Sequence, residues 1–113
     1  MELTVCLHGS DLMDWARWEA TVLALGGRIL PWTGTAPSAL PEGEVLCLVD
    51  LLAPDALHVA RAAASLGYRV LAYGPHVRSD LFRAAAEEGV EACARSAVQK
   101  RLMGHARLPH DLA

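Results

Sequence analysis

Five short apolar runs alternate with longer amphipathic stretches along the chain, and this alternation constrains the fold more than any other feature. Two of the runs, VLCLVD and RVLAY, are almost continuously apolar, which is typical of parallel strands covered on both faces. The predicted strands are residues 3–7, 28–32, 45–50, 69–73 and 90–94. The predicted helices are residues 11–26, 54–66, 79–88 and 96–107.

Alternating strands and helices in 113 residues predict one α/β domain over residues 1–113, with right-handed crossovers between parallel strands. Five strands favour a flavodoxin-like three-layer sandwich with a parallel sheet of order 2-1-3-4-5. The segment 33–44 contains two prolines and two glycines. We therefore predict that the second helix is reduced.

Charge and hydropathy exclude several classes of function. The net charge is −3 and the basic residues are scattered, so a nucleic-acid partner is not expected. No apolar stretch approaches the roughly 20 residues of a membrane span. The first residues, MELTVCLHGS, lack the basic start of a signal peptide, which predicts a cytoplasmic protein. Three cysteines, an odd number, argue against a disulfide framework.

Polar and charged side chains follow several of the predicted strands. In open α/β sheets ligands bind outside the carboxyl ends of the strands, which meet along one rim. The sequence therefore predicts a candidate site for a small anionic ligand at Ser10, Asp50, His76, Arg95 and Ser96.

Two short motifs resemble response-regulator receiver domains, and the resemblance runs over most of the chain. The segment VDLLAP (49–54) is similar to the receiver D-x-x-x-P around the phosphorylated aspartate, which implies that Asp50 stands at the acceptor position. The segment RAAAEEGV (83–90) is similar to the A-x-x-x-G-A segment before the last receiver strand. The resemblance implies the same flavodoxin-like fold.

The chain departs from the receiver pattern at the residues that carry its chemistry. The resemblance implies an Mg²⁺-binding acidic pair after strand 1, a Ser or Thr after strand 4 and a Lys after strand 5. These places are occupied here by His8-Gly9, Gly74 and Ser96. Mg²⁺ prefers oxygen ligands, which the side chains of His8 and Gly9 do not supply. We interpret the chain as a degenerate receiver, without a metal site or cofactor.

Asp50 has three possible roles under this interpretation. A structural carboxylate would accept hydrogen bonds from loop amides or pair with Arg95. The second role is ligand binding at the rim. The third, Mg²⁺-dependent phosphorylation, is the least favoured, because positioning and charge neutralisation by the metal are central to that chemistry.

The favoured function is therefore non-enzymatic: a regulatory or protein-interaction module that self-associates, as a homodimer. Walker, G-x-G-x-x-G and G-x-S-x-G motifs are absent from the sequence. The alternatives are a sensor of a small anion at the rim and a phospho-acceptor at Asp50.

The helix over 11–26 suggests where a partner would bind. Its D-x-x-D start, Asp11 and Asp14, predicts a cap resembling a capping box. Trp18 and Leu25 fall outside the predicted apolar arc, so they are predicted to form an exposed interface, unless the Trp18 side chain folds back under a loop. That arc consists of Leu12, Trp15, Ala16, Val22 and Leu23.

Overall fold

Five parallel strands form one sheet in the computed structural model, which describes residues 3–9, 11–32 and 44–104. The strand order is β2-β1-β3-β4-β5, which confirms the predicted fold class. Each strand lies within two residues of its predicted bounds. The strands are β1 (Leu3–His8), β2 (Arg28–Pro31), β3 (Glu44–Asp50), β4 (Arg69–Gly74) and β5 (Ala92–Ala94).

Helices follow the strands as the alternation predicts. They are α1 (Leu12–Ala24), α2 (Ala56–Ser65), α3 (Ser79–Glu87) and, after a 3₁₀ turn at Arg95–Ala97, α4 (98–104). The predicted reduced crossover spans residues 33–44; residues 33–43 lie outside the described residues, and Glu44 begins β3. Among the helices of the described ranges, none has both the length and the apolar character needed to span a bilayer.

Local signals explain where α1 starts and stops. Oδ1 of Asp11 accepts hydrogen bonds from the backbone N–H of Met13 at 2.9 Å and of Asp14 at 3.3 Å, which confirms the predicted cap. The Asp14 carboxylate does not complete a capping box, because it pairs elsewhere. Gly26, with φ of 80°, ends the helix in the left-handed region that glycine adopts without strain.

Two apolar cores lie on the two faces of the sheet. The first packs α1 and α4 against the sheet, with Trp18, Val22, Val98 and Leu102 fully buried. The second packs α2 and α3 against the opposite face, through small residues such as Ala60, Ala63 and Ala85. This three-layer arrangement leaves the carboxyl ends of the strands free to form a site.

The predicted exposure of Trp18 is wrong. Its side chain is 0% exposed, and its ring lies edge to face on Tyr73 with centroids 4.6 Å apart. Asp14, Trp18 and Val22 form the buried stripe of α1 at i, i+4 and i+8. The predicted arc contained Val22 but not Trp18, because it was drawn from apolar residues alone and Asp14 begins the stripe. Leu25, the second predicted interface residue, is half-buried.

Three of the five apolar residues predicted to face the core, Leu12, Ala16 and Leu23, face solvent instead. Val22 is buried as predicted, and Trp15 packs against the core. Leu12 is 82% exposed, Met13 71% and Leu23 59%. Three exposed alanines lie on the same side of the helix. We call this surface the outer face of α1; it consists of Leu12, Met13, Ala16, Ala20, Leu23 and Ala24.

Candidate functional site

The carboxyl ends of four neighbouring strands meet at one rim. Asp50 ends β3 opposite Tyr73, and Gly74 ends β4 opposite Ala94. A cavity of about 510 Å³ opens there, with side chains from β1, the loops after β2 and β3, and the turn after β5 in its lining. The charged and aromatic residues of that lining are His8, Asp11, Trp32, Asp50, Asp55 and Arg95.

The structure brings together two of the five residues predicted to bind a ligand. Asp50 and Arg95 line the rim cavity. His76 is exposed in the loop after β4 and is not part of this lining, and Ser96 lines a separate cavity beside α4. Ser10 lies outside the described residues. The positions of His76 and Ser96 depend on the paths of the loops, which cannot be deduced from the strand ends alone.

Asp50 is buried and bonded to its own loop. It is 5% exposed, and its Oδ1 accepts a hydrogen bond from the Leu52 N–H at 2.9 Å. The Asp50 carbonyl accepts a second bond from the Ala53 N–H at 3.0 Å. The loop-amide contact expected of a structural carboxylate is therefore present. It fixes the turn that leads from β3 towards α2.

Arg95 pairs with Asp14, and the expected pairing with Asp50 is not found. Its Nε lies 3.1 Å from Asp14 Oδ2, with the two side chains 26% and 3% exposed. The N–H is not aligned for a hydrogen bond, so the contact is an ion pair only. The guanidinium carbon also lies 5.8 Å from the centre of the Tyr73 ring. Burial raises the pKa of Asp14, and the charge of Arg95 opposes that rise.

His8 connects three segments of the rim. Its Nδ1 lies 2.9 Å from the Trp32 carbonyl oxygen, and its Nε2 lies 2.8 Å from Oδ1 of Asp55. Both ring nitrogens face acceptors, so the ring donates both bonds only when both nitrogens carry hydrogen. The hydrogen bond from His8 lowers the pKa of Asp55. This contact joins the ends of β1 and β2 to the start of α2.

Gly9 and Tyr73 lie in close contact beneath the cavity. A Cβ atom on Gly9 would lie 3.0 Å from Cβ of Asp50 and 3.0 Å from the Tyr73 hydroxyl. Burial, followed by the nearby Asp50 charge, raises the pKa of Tyr73. The Tyr73 hydroxyl and Nε1 of Trp32 are both buried, and neither has a hydrogen-bond partner among the residues that the structure describes. The floor of the rim is thus tightly packed around two polar groups that the described residues leave without hydrogen bonds.

The cavity is more acidic than the sequence suggested. Asp11, Asp50 and Asp55 line it, against a single guanidinium that already neutralises Asp14. This balance disfavours an anion. Within residues 3–9, 11–32 and 44–104, no three His, Cys, Asp or Glu side chains converge as a metal site would require.

The predicted site, chosen from residues near the strand ends, omitted two residues that line the cavity. Trp32 follows β2 and Asp55 follows the D-x-x-x-P motif, yet neither was among the predicted site residues. Both could have been selected from the sequence, because Trp32 comes directly after the end of β2 and Asp55 comes just before the start of α2. Asp14 had no such signal, because its partner Arg95 is distant in the chain and only the folded sheet brings the two together.

A second cavity, of about 480 Å³, opens near the start of β4. Its floor includes Leu46 and Leu71, and its walls include Arg69, Lys100 and Arg101. Arg101 pairs with Glu91, another lining residue. Lys100 and Arg101 are adjacent in the sequence, but Arg69 is distant from them, so only the fold brings the three cations together.

One solved structure with this architecture is the crystal structure of a response regulator from Colwellia psychrerythraea. The TM-score is 0.57 at 12% identity, over 92% of this chain and 96% of that chain. Neither a protein-family profile nor a curated protein sequence matches the chain. At this identity the likeness concerns the fold. The chain has a receiver-like, flavodoxin-like α/β fold.

Proposed function

We propose that this protein is a non-enzymatic regulatory module that uses the receiver-like fold for protein contacts and does not take up a phosphoryl group through Mg²⁺. The proposal includes the cytoplasmic location and the lack of nucleic-acid and membrane partners predicted from the sequence. The observation that carries it is the state of His8 at the end of β1.

His8 stands where the resemblance implies an acidic metal ligand. Its two ring nitrogens are engaged by Trp32 and Asp55, so neither is free to coordinate a cation. Gly9, beside it, has no side chain, and a Cβ there would meet its neighbours at 3.0 Å. A hard cation therefore lacks ligands at this end of β1.

The other positions support the same proposal. Gly74 offers no hydroxyl at the end of β4. Arg95 is held by Asp14, so its charge is already partly neutralised. Of the receiver set, Asp50 alone remains, and one of its oxygens accepts the Leu52 N–H. Phosphoryl transfer depends on positioned charge, which this arrangement does not supply.

Intact-mass spectrometry after incubation with acetyl phosphate and Mg²⁺ tests the proposal. We expect no phosphoryl adduct, under conditions in which a receiver with a complete acidic pair becomes fully modified. The Asp50→Asn variant serves as the matched control. An Mg²⁺-dependent adduct that disappears in Asp50→Asn would overturn the proposal.

The rim cavity keeps a second candidate function open, a sensor of a small ligand. Its volume of about 510 Å³ is sufficient for a small molecule. The three carboxylates in its lining make an anion a poor fit, despite Arg95. Native mass spectrometry of the purified protein would test this candidate: a discrete co-purified mass that is lost in Asp50→Ala supports it, and a clean spectrum argues against it.

A further inference from the structure

The outer face of α1 is an apolar surface that the described part of the chain leaves uncovered. Leu12, Met13 and Leu23 are between 59% and 82% exposed. Successive helix residues are rotated by about 100°, which puts these three side chains and the exposed alanines on one side. A contiguous apolar surface of this kind marks an interaction site more often than single exposed hydrophobic residues do.

The shape of the face suits another helix. Leu12 lies at one end and Leu23 at the other, with Ala16 and Ala20 between them. Small residues at the centre let a second helix backbone approach closely, and the leucines then pack around the contact. The buried side of α1 is already occupied by Trp18 and Val22 in the core, so the helix itself is firmly placed.

The edges of the face carry opposite charges. Glu19 borders it on one side and Arg17 on the other, by the same helical geometry. Neither residue has an ion-pair partner within the ranges that the structure describes. A surface with an acidic edge and a basic edge is complementary to a copy of itself only in one orientation.

We propose that the outer face of α1 packs against the same face of a second copy, with the two α1 helices parallel about a two-fold axis. This symmetry sets Arg17 against the partner's Glu19, and Glu19 against the partner's Arg17. The axial offset of two residues is about 3 Å, which long side chains span. Antiparallel helices would instead oppose like charges along both edges.

This inference identifies a second copy of the chain as a partner of the proposed interaction module. Only the regulatory meaning of the dimer rests on the proposed function. The proposed function and the dimer can be disproved independently. Phosphorylation is measured at Asp50, which is in the rim, whereas self-association is measured through α1 residues that lie outside the rim lining.

Sedimentation-velocity ultracentrifugation over a concentration series tests the pairing. We expect a dimer, and we expect Leu12→Glu combined with Leu23→Glu to raise the dimer dissociation constant by about a hundredfold or more, because four leucines lose their apolar contact. Leu66→Glu combined with Val77→Glu is the matched control, since both residues are exposed and lie outside α1. It should leave the dimer unchanged. Circular dichroism verifies that each variant is folded.

Charge exchange tests the parallel arrangement. Arg17→Glu and Glu19→Arg should each weaken the dimer by about tenfold, because each turns two attractive pairs into repulsive ones. The double exchange should restore the wild-type constant. A protein that stays monomeric throughout the series would overturn the inference. So would a dimer indifferent to Leu12 and Leu23, or one whose affinity the single charge exchanges do not lower.

Discussion

Nε of Arg95 lies 3.1 Å from Oδ2 of Asp14, so the cation after β5 is tied to α1 and not to Asp50. Asp14 is almost fully buried, which makes the pair costly to break from the arginine side. The same guanidinium stands over the Tyr73 ring. The pair therefore closes one side of the rim and fixes where α1 sits relative to the end of the sheet.

Removing the Arg95 side chain should destabilise the folded protein, because the buried Asp14 carboxylate loses its counter-charge. We expect Arg95→Met to lower the free energy of unfolding at neutral pH by about 3 kcal/mol, because Asp14 then lacks its counter-charge. Burial already raises the pKa of Asp14. The folded state therefore takes up a proton before the unfolded state does, and the deficit should shrink as pH falls through the folded pKa.

Urea unfolding at neutral and mildly acidic pH measures this deficit. Arg78→Met is the control. Arg78 makes an ion pair with Asp80 on the surface, and such exposed pairs contribute little to the free energy of unfolding. A deficit in Arg95→Met that is absent, or that grows towards acid pH, would contradict the role assigned to the pair.

The contact between His8 and Asp55 should be visible in the pH dependence of stability. Hydrogen bonding from His8 lowers the pKa of Asp55, so the stabilisation is complete above the ordinary carboxyl pKa of about 3.9 and is lost as pH falls through the folded value. We expect Asp55→Asn to be less stable than wild type at mildly acidic pH and equal to it in strong acid. Thermal unfolding across that pH range gives the comparison. Two curves that stay parallel would show that Asp55 gains nothing from His8.

Tyr73→Phe should cost no stability. The hydroxyl is buried and has no hydrogen-bond partner in the described ranges, so its removal eliminates an unsatisfied polar group while the ring keeps its packing on Trp18. We expect a free energy of unfolding equal to wild type or up to about 1 kcal/mol higher. Tyr73→Ala, which also removes the ring, should lose about 3–5 kcal/mol. A loss above 1 kcal/mol in Tyr73→Phe would instead reveal a hydrogen-bonded water at the hydroxyl.

The two buried thiols should be inert in the folded protein. Cys6 and Cys47 are opposite each other on β1 and β3, and both are at most 2% exposed. Hydrogen bonding to Cys6, together with burial, raises the pKa of Cys47. We expect iodoacetamide to leave both unmodified under native conditions, whereas all three cysteines react in denaturant. Mass spectrometry of the alkylated peptides identifies each site, and rapid native labelling of Cys47 would be the contrary result.

The sheet was predictable because its signals are local. An apolar run such as VLCLVD is covered on both faces, so burial alone marks it as a strand, and crossover rules then limit the strand order. The helix stop at Gly26 was also a local signal. The buried face of α1 was not predictable in this way, since its stripe includes Asp14, which pairs with an arginine in the turn after β5.

The candidate site was predictable only as far as strand ends determine it. Asp50 is the last residue of β3 and Arg95 comes directly after β5, and both line the cavity. His76 lies further along its loop, is exposed, and is not part of the cavity lining. The hydrogen bonds of His8 depend on how the chain turns after β2 and after β3, which no short pattern in the sequence encodes.

The close packing of Gly9 also limits the evolutionary routes open to this protein. A substitution at position 9 places the first carbon of the new side chain 3.0 Å from Cβ of Asp50 and 3.0 Å from the Tyr73 hydroxyl, so a neighbour has to give way by a few tenths of an ångström. A shift of Tyr73 is resisted by Trp18, because the two rings pack edge to face. An acidic side chain at position 9 therefore requires compensating adjustments in β3, β4 and α1, so this position is difficult to change by one mutation at a time.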